Sequence, residues 1–245
     1  MIDKKLIENF DFLILIIIIL ISLFGRIGIG IAMQSPTEGN KSIYEVLGNL
    51  NLRYVKSQAI WVAIGLVVLV IVASIDYNTY KTLAPYAYIA VLILLIYVSK
   101  WGKIAGNARR SMEIGSISIQ PSEFAKLAVI IVTAKAIEKR ENLNSLKDVI
   151  LIFGQILPIF ILTAKQPDMG TSLVYIIIVS GMLFIGGLDY KLIFSLVGAG
   201  LASMPIAWKF ILTDTQKNRV LVFLNPELEP LGNAYNVIQS MTAIG

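Results

Sequence analysis

The sequence predicts an all-α fold, a polytopic transmembrane helical bundle with about seven spans. Hydrophobic residues make up 56% of the 245 residues, charged residues make up only 15%, and mean hydropathy is +0.76. This balance is far from that of a water-soluble domain. The apolar residues fall in runs close to the roughly 20 residues that a helix needs to cross a bilayer. The runs are also too continuous for the strands of an outer-membrane barrel.

Seven apolar segments define the predicted spans, and we expect them to form a single membrane domain over residues 1–245. Pro158 and Pro205 lie inside the fifth and seventh spans and are expected to kink them. Residues 213–245 are predicted to lie outside the membrane, with an interfacial helix over residues 216–224. The spans are predicted near residues 12–33, 59–75, 83–99, 122–137, 149–164, 170–187 and 192–212.

The distribution of positive charge leaves the orientation of these spans open. Lys4 and Lys5 precede the first span and favour a cytoplasmic N-terminus, but the loops then assigned to the cytoplasm do not hold the excess of Lys and Arg that is expected there. Either the orientation is inverted, or the outer loops keep their basic residues for another reason. Binding of a pyrophosphate and contact with lipid headgroups are the alternatives. The outer basic residues that this second explanation concerns are Lys100, Lys103, Arg109, Arg110, Lys165, Lys217 and Arg219.

The composition also limits the chemistry that the chain can perform. It contains neither cysteine nor histidine, which excludes disulfides, thiolate nucleophiles and imidazole metal ligands. Any general base within the chain must therefore be a carboxylate, Lys, Tyr or a water molecule held by one of them.

The segment Gln120-Pro121-Ser122-Glu123-Phe124-Ala125-Lys126 opens the fourth span and is a candidate site. Pro121 and Ser122 are residue types that favour the start of a helix. Glu123 and Lys126 are three positions apart, so on a helix they share a face and can form an ion pair. Such a pair at a membrane segment either lines an aqueous cavity or locks two helices together, and the sequence does not decide between the two.

A second polar segment, Gln166-Pro167-Asp168-Met169-Gly170, precedes the sixth span. Asp168 stands where an N-cap residue would accept hydrogen bonds from the first amides of the helix. A ligand-binding role for this carboxylate is the alternative, and the two roles are compatible.

The segment Lys100–Gln120 is predicted to be a cationic loop. Within it, Arg109 and Arg110 could clamp phosphate oxygens, because a guanidinium group matches their geometry. A solvated basic loop is the simpler interpretation. Near the end of the chain, Pro226 marks a structured turn, and Tyr235 and Gln239 mark a polar return to the membrane.

Taken in order, these motifs resemble the SEDS family of bacterial shape, elongation, division and sporulation proteins, which includes RodA, FtsW and SpoVE. The similarity extends from Lys100 to Gly245, is strongest to the RodA branch, and includes Gln120 to Lys126, Gln166 to Gly170 and the segment from Arg219 through Gln239. Ser111 departs from the Trp that usually follows the Arg of the family's Ala-x-Arg-Trp stretch. The chain would represent the first two thirds of a member, with about seven of ten spans.

The resemblance implies a peptidoglycan glycosyltransferase of the bacterial cytoplasmic membrane that polymerises lipid II during elongation, division or sporulation. It places the catalytic Asp beyond residue 245, so the chain itself holds no catalytic residue and is expected to be inactive alone. Arg110, with Lys126 or Arg219, would stabilise the leaving pyrophosphate. Glu123 would orient Lys126, while Asp168 would fix the start of the sixth span.

The same resemblance implies a class B penicillin-binding protein as partner, membrane lipids around the bundle and no nucleic acid. It specifies no cofactor, and a divalent cation beside the pyrophosphate is an open expectation without identified ligands. Two other functions stay open at this point. A kinked bundle with charges inside the membrane also suits a transporter that flips lipid II, and the third alternative is a non-enzymatic scaffold of the cell-wall machinery.

Overall fold

The structure is a computed structural model that divides into two compact units, Met1–Leu83 and Ala84–Gly245. It describes residues 11–32, 52–105, 108–115, 117–140, 143, 145–166, 168–210, 212–226, 232 and 234–244. Lys4, Lys5 and most of the polar segment after the first predicted span lie outside the described residues.

The first unit contains two long apolar helices that pack against each other, α1 (Phe12–Ala32) and α2 (Leu52–Ala73). Asp11 caps α1, because its Oδ1 atom accepts hydrogen bonds from the backbone amides of Leu13 and Ile14 at 3.0 and 3.1 Å. Helix α2 begins earlier than the apolar run that predicted it. Its first turns carry Arg53 and Lys56, whose long side chains can keep their charges in water while their stems cover apolar surface.

Seven further helices follow the first two in the part of the chain that the structure describes, and the first of them begins just before the boundary between the units. They are α3 (Tyr77–Trp101), α4 (Pro121–Glu138), α5 (Leu146–Lys165), α6 (Met169–Ile185), α7 (Tyr190–Phe210), α8 (Asp214–Leu224) and α9 (Tyr235–Ile244). Helices α3 to α7 coincide with the predicted spans to within a few residues, and they begin earlier where polar first turns precede the apolar run. Helix α8 contains residues 216–224, where a helix was predicted, and its location at the membrane interface stays a prediction.

Five of the described helices are long and apolar enough to cross a membrane, namely α1, α2, α3, α5 and α7. Helix α6 is apolar but shorter, at 17 residues. Helix α4 carries Glu123, Lys126, Lys135 and Glu138 within 18 residues and does not qualify. The prediction of a polytopic helical bundle is confirmed, and the number of seven spans stays a prediction.

Prolines lie inside three of these long helices. Pro158 and Pro205 lie inside α5 and α7 as predicted, and Pro85 lies inside α3. A proline has no backbone N–H, so each leaves one carbonyl of the preceding turn without its usual partner. In α5 the carbonyl that Pro158 frees is that of Gly154, and the hydroxyl of Tyr88 donates to the next carbonyl along the chain, that of Gln155.

The segment predicted as a cationic loop instead forms a small antiparallel sheet, and this prediction was wrong. The strands are β1 (Lys103–Ala105), β2 (Ala108–Ile114) and β3 (Ile117–Ile119), in the order β1-β2-β3. Gly115 connects β2 to β3 with φ of 64°, a left-handed conformation that glycine adopts without strain. Ile114 pairs with Ile117 across this short turn, and two-residue hairpin turns commonly require such a residue.

The apolar core of the second unit lies among α3, α4, α5 and α6. Helix α4 contributes mainly small side chains, and its buried positions recur every three or four residues. Small residues let helix backbones approach closely, which favours packing in a bilayer where the hydrophobic effect does not drive association. The buried core residues include Leu95, Ala125, Val129, Ile152, Ile159, Tyr175, Val179 and Leu183. Helix α4 therefore contributes one face of small residues to this core.

Candidate functional site

Most of the predicted site residues lie at one end of the second unit. The C-terminal ends of α3 and α5 and the N-terminal ends of α4 and α6 meet there, and β2 contacts α4. The two polar motifs come together because α4, α5 and α6 follow one another in alternating direction. The start of α4 and the start of α6 then share an end of the bundle.

The carboxylate of Asp168 joins these two helix starts. Its Oδ1 atom accepts a hydrogen bond from the backbone amide of Thr171 at 3.4 Å, which confirms the predicted N-cap of α6. Its Oδ2 atom accepts from Nε2 of Gln120 at 3.0 Å and from the hydroxyl of Ser122 at 3.5 Å. One carboxylate therefore caps α6 and holds the start of α4 against it.

Gln166 connects the same end of the bundle to α3 and to the sheet. Its side chain is buried, and its Nε2 atom donates to the backbone carbonyl of Leu95 at 2.9 Å. Its own backbone carbonyl accepts a hydrogen bond from Nε of Arg110 at 3.3 Å. The first residue of the second motif therefore positions Arg110 on β2.

A buried hydrogen-bonded group lies beneath Asp168. The hydroxyl of Tyr175, on α6, donates to the backbone carbonyl of Ser122 at 3.0 Å and lies 3.3 Å from the hydroxyl of Thr163 on α5. Tyr175 and Thr163 have no exposed surface. Buried polar groups of this kind favour one arrangement of their helices, because each loses a partner when the helices shift.

Glu123 and Lys126 form the ion pair that their spacing predicts. The distance from Nζ of Lys126 to Oε2 of Glu123 is 2.7 Å, and the two side chains are 31% and 55% exposed, in that order. An exposed pair contributes little to stability. The two alternatives that the sequence left open for this pair, a cavity lining and a lock between helices, both stay predictions.

The sheet presents basic side chains beside this end of the bundle. Arg109 donates through Nη1 to the backbone carbonyl of Lys100, and Lys103 forms an ion pair with Glu113 across β1 and β2. Arg110 is half-buried. The strands thus fix the directions of guanidinium groups that a loop would leave mobile.

The other predicted residues are separate from this cluster. Arg219 is exposed on α8, and none of the hydrogen bonds described above includes it. Pro226 follows α8 in a short helical turn, while Tyr235 and Gln239 lie exposed on α9. Pro167 lies outside the described residues.

Positions 170 and 102 differ in whether the surrounding packing requires glycine. A Cβ atom at Gly170 would have no neighbour within 4 Å, so the packing does not require glycine there. At Gly102, between α3 and β1, a Cβ atom would lie 2.4 Å from the carbonyl oxygen of Val98 and 3.1 Å from that of Ser111. Gly102 was not among the predicted site residues, although its position between an apolar run and a basic segment is typical of a helix end.

Tyr175 and Thr163 were also missed. Both are polar residues inside apolar runs, where an unpaired hydroxyl is costly. This cost indicates that both hydroxyl groups have hydrogen-bond partners, but the sequence does not show which residues these partners are.

The described residues do not fit a metal site. No group of three or more acidic side chains among them could hold a metal ion. Asp168 accepts three hydrogen bonds and Glu123 pairs with Lys126, so we derive no step that involves a divalent cation.

Comparisons with known proteins agree with the resemblance. Residues 11–245 match the model of the family of FtsW, RodA and SpoVE, which is described as a family of cell cycle proteins. The peptidoglycan glycosyltransferase MrdB of Escherichia coli is 40% identical over 186 residues, which cover 75% of this chain and 50% of MrdB. Stage V sporulation protein E of Bacillus subtilis is 28% identical over 199 residues, which cover 78% of this chain and 53% of that protein.

Solved structures show the same fold. One matching chain comes from a structure that describes the coordination of polymerization and crosslinking by a peptidoglycan synthase complex. The TM-score is 0.76 and the sequence identity is 27%. The match covers 97% of this chain and 66% of that chain. The rod shape determining protein RodA of Thermus thermophilus matches with a TM-score of 0.64 and 25% identity, covering 78% of this chain and 58% of RodA.

The family match covers nearly the whole sequence, whereas the chain spans about half the length of MrdB and of the sporulation protein. Its apolar helices agree with that family. The chain is thus a multi-pass membrane protein that belongs to the FtsW, RodA and SpoVE family of cell cycle proteins.

Proposed function

We propose that this chain is the part of a peptidoglycan glycosyltransferase that binds the pyrophosphate of lipid II, the undecaprenyl-pyrophosphate-linked disaccharide-pentapeptide. The proposal extends to the whole protein the activity named for MrdB. It rests on one observation above all, the junction of Arg110, Gln166 and Asp168 at one end of the second unit. This junction holds the guanidinium group of Arg110 in a fixed direction at one end of the helix bundle, where it can bind a phosphate group of a lipid.

The reaction that we propose is the attack of a sugar hydroxyl of one lipid II molecule on the anomeric carbon of a second. The glycosidic bond forms while the bond to the pyrophosphate breaks, and the hydroxyl proton passes to a carboxylate base. Negative charge grows on the pyrophosphate as it leaves. Arg110 is oriented by Gln166 and would stabilise that charge, with Lys126 or Arg219 as a second cation.

We assign the catalytic base to the part of the protein that this chain does not contain. Within the chain, Asp168 already accepts hydrogen bonds from Gln120, Ser122 and Thr171. Glu123 pairs with Lys126. A carboxylate engaged in this way is poorly placed to remove a proton, which supports structural and orienting roles for both residues.

The setting of the enzyme is part of the same proposal. We propose one membrane domain in the bacterial cytoplasmic membrane, with the N-terminus in the cytoplasm and the segment Lys100–Gln120 on the outer face. A class B penicillin-binding protein is the proposed partner. The structural likeness to a chain of a peptidoglycan synthase complex supports this choice.

The test is polymerisation of labelled lipid II by a purified protein that joins this chain to the remainder of its reading frame. We expect Arg110→Ala to reduce the rate about a hundredfold, because loss of one group that stabilises developing charge has effects of that order. Arg110→Lys should retain an intermediate rate, since an ammonium keeps the charge without the fork. The 245-residue chain alone should form no glycan polymer.

Lys191→Ala is the matched control, because Lys191 is an exposed cation at the start of α7. Size-exclusion profiles of all variants check that they stay folded. Equal rates for Arg110→Ala and Lys191→Ala would contradict the role of Arg110. If the protein moved lipid II across vesicle bilayers and made no polymer, it would be a flippase instead.

A further inference from the structure

A pocket of about 680 Å³ lies at the other end of the second unit from the candidate site. It is lined by residues from the N-terminal part of α3, the C-terminal part of α4 and the middle of α5. Helix α4 carries the candidate site at its first turns and this pocket at its last turns. The proposed function uses no residue of the pocket.

The rim of the pocket is positively charged. Lys135, Lys139 and Arg140 belong to its lining, and among the described lining residues there is no carboxylate. Arg140 is held in place by its Nε atom, which lies 2.9 Å from Oδ1 of Asp148, and by a hydrogen bond to the carbonyl of Ala136. Asp148 and Glu138 do not line the pocket, and Glu141, which follows Arg140 in the sequence, lies outside the described residues.

The rest of the pocket is largely apolar. Pro85 and Ile89 form part of the wall on α3, and Val132 forms part of the wall on α4. Gln155 also lines the pocket and lies nine residues beyond the start of α5 at Leu146, which corresponds to about 14 Å along the helix axis. Apolar walls next to basic side chains match a phosphate headgroup joined to an acyl chain.

We propose that this pocket binds an anionic phospholipid, with its phosphate at the rim and part of an acyl chain along α3. Helices α3 and α5, which supply two of its walls, are long and apolar enough to cross a membrane, so the ends of these helices lie near the headgroups. A soluble anion would contact the basic side chains alone and would leave the apolar walls unused. The basic and the apolar parts of the lining together therefore favour a lipid.

The test is native mass spectrometry of the protein that joins this chain to the remainder of its reading frame, purified in detergent and mixed with equal amounts of phosphatidylglycerol and phosphatidylcholine. We expect retained phosphatidylglycerol to exceed phosphatidylcholine, because each basic residue near a membrane surface strengthens binding to anionic lipid about fivefold. Lys139→Gln should therefore reduce the excess about fivefold. Ile89→Trp fills the apolar wall without changing charge and should reduce retention of phosphatidylglycerol.

Lys147→Gln is the matched control, because Lys147 is an exposed lysine in the first turn of α5 that does not line the pocket. It should leave the lipid ratio unchanged. Equal retention of the two lipids, or an equal effect of Lys139→Gln and Lys147→Gln, would overturn the proposal. If Ile89→Trp lowered thermal stability and left lipid retention unchanged, the pocket would instead hold another part of the protein, which also overturns it.

Discussion

Asp168 makes two kinds of contact, a helix cap and a link between two helices, and its sequence motif predicts only the first. One oxygen caps α6, and the other accepts hydrogen bonds from Gln120 and Ser122 at the start of α4. The two polar motifs of the chain are therefore parts of one structure. At the scale of the residue, the role of this carboxylate follows from its partners.

Substitution of Asp168 should separate the cap from the contact between helices. We expect Asp168→Ala to lower the free energy of unfolding by about 2–3 kcal/mol, since a lost cap costs about 1 kcal/mol and a lost hydrogen bond about the same. Asp168→Asn keeps a side chain that caps helices well and should cost about 1 kcal/mol. Thermal unfolding in detergent, followed by tryptophan fluorescence, measures the order of stabilities.

Asp189→Ala is the control for the loss of a cap alone. Oδ1 of Asp189 accepts a hydrogen bond from the backbone amide of Lys191 at 2.9 Å, at the exposed start of α7. If Asp168→Ala and Asp189→Ala destabilised the protein equally, the contact between α6 and α4 would contribute nothing to stability.

At the scale of the element, the junction between α3 and the sheet depends on the size of one residue. Gly102 brings the end of α3 close to β2, because only a hydrogen atom separates its Cα from the carbonyl oxygens of Val98 and Ser111. Arg110 is the neighbour of Ser111 on β2. The direction of this arginine therefore depends on an approach that only glycine permits.

Gly102→Ala is expected to destabilise the protein by about 1–3 kcal/mol, because an added methyl group in a filled space forces the backbone to move. Gly170→Ala is the opposite case and should stabilise it by about 0.5–1 kcal/mol, since alanine favours a helix and has room there. Melting temperatures of the two variants check both signs. A neutral Gly102→Ala would show that α3 and β2 do not approach this closely.

Gly170→Ala also has a functional outcome. If the variant is as stable as expected but loses lipid II polymerisation in the longer protein, the glycine serves the substrate and not the fold. Unchanged polymerisation would assign Gly170 no role in binding.

At the scale of the whole molecule, the two ends of the second unit differ in kind. One end carries the sheet and the joined motifs, and the other carries the cationic pocket. The proposed function requires the first end to face the outside of the cell. The pocket would then face the cytoplasm.

Single cysteines test this orientation without interference, because the chain contains no cysteine. Ser118 is exposed on β3 and Ser145 is exposed just before α5, at the other end of the unit. We expect a membrane-impermeant maleimide to label Ser118→Cys in intact spheroplasts and Ser145→Cys only after lysis. The reverse pattern would place the basic sheet in the cytoplasm and contradict the proposed binding of outward-facing lipid II.

The local features of the fold were predictable from the sequence. The apolar runs located the helices, Glu123 and Lys126 paired at their spacing, Pro121 began α4, and Asp168 capped α6. Each of these features depends on residues within one or two helical turns, where geometry is fixed by the helix itself. The hairpin at Gly115 was equally local but was missed, because the basic residues around it were interpreted as a loop.

The sequence by itself therefore determined a multi-pass helical protein of this family and the residues of its polar motifs. Only the tertiary structure decided that Asp168 meets Gln120, 48 positions away, that Gln166 reaches Leu95, 71 positions away, and that a cationic pocket forms among α3, α4 and α5. The physical reason is that these helices are apolar on most of their surface, so their sequences do not fix which face turns inward. Close packing of small residues and a few buried hydrogen bonds make that choice.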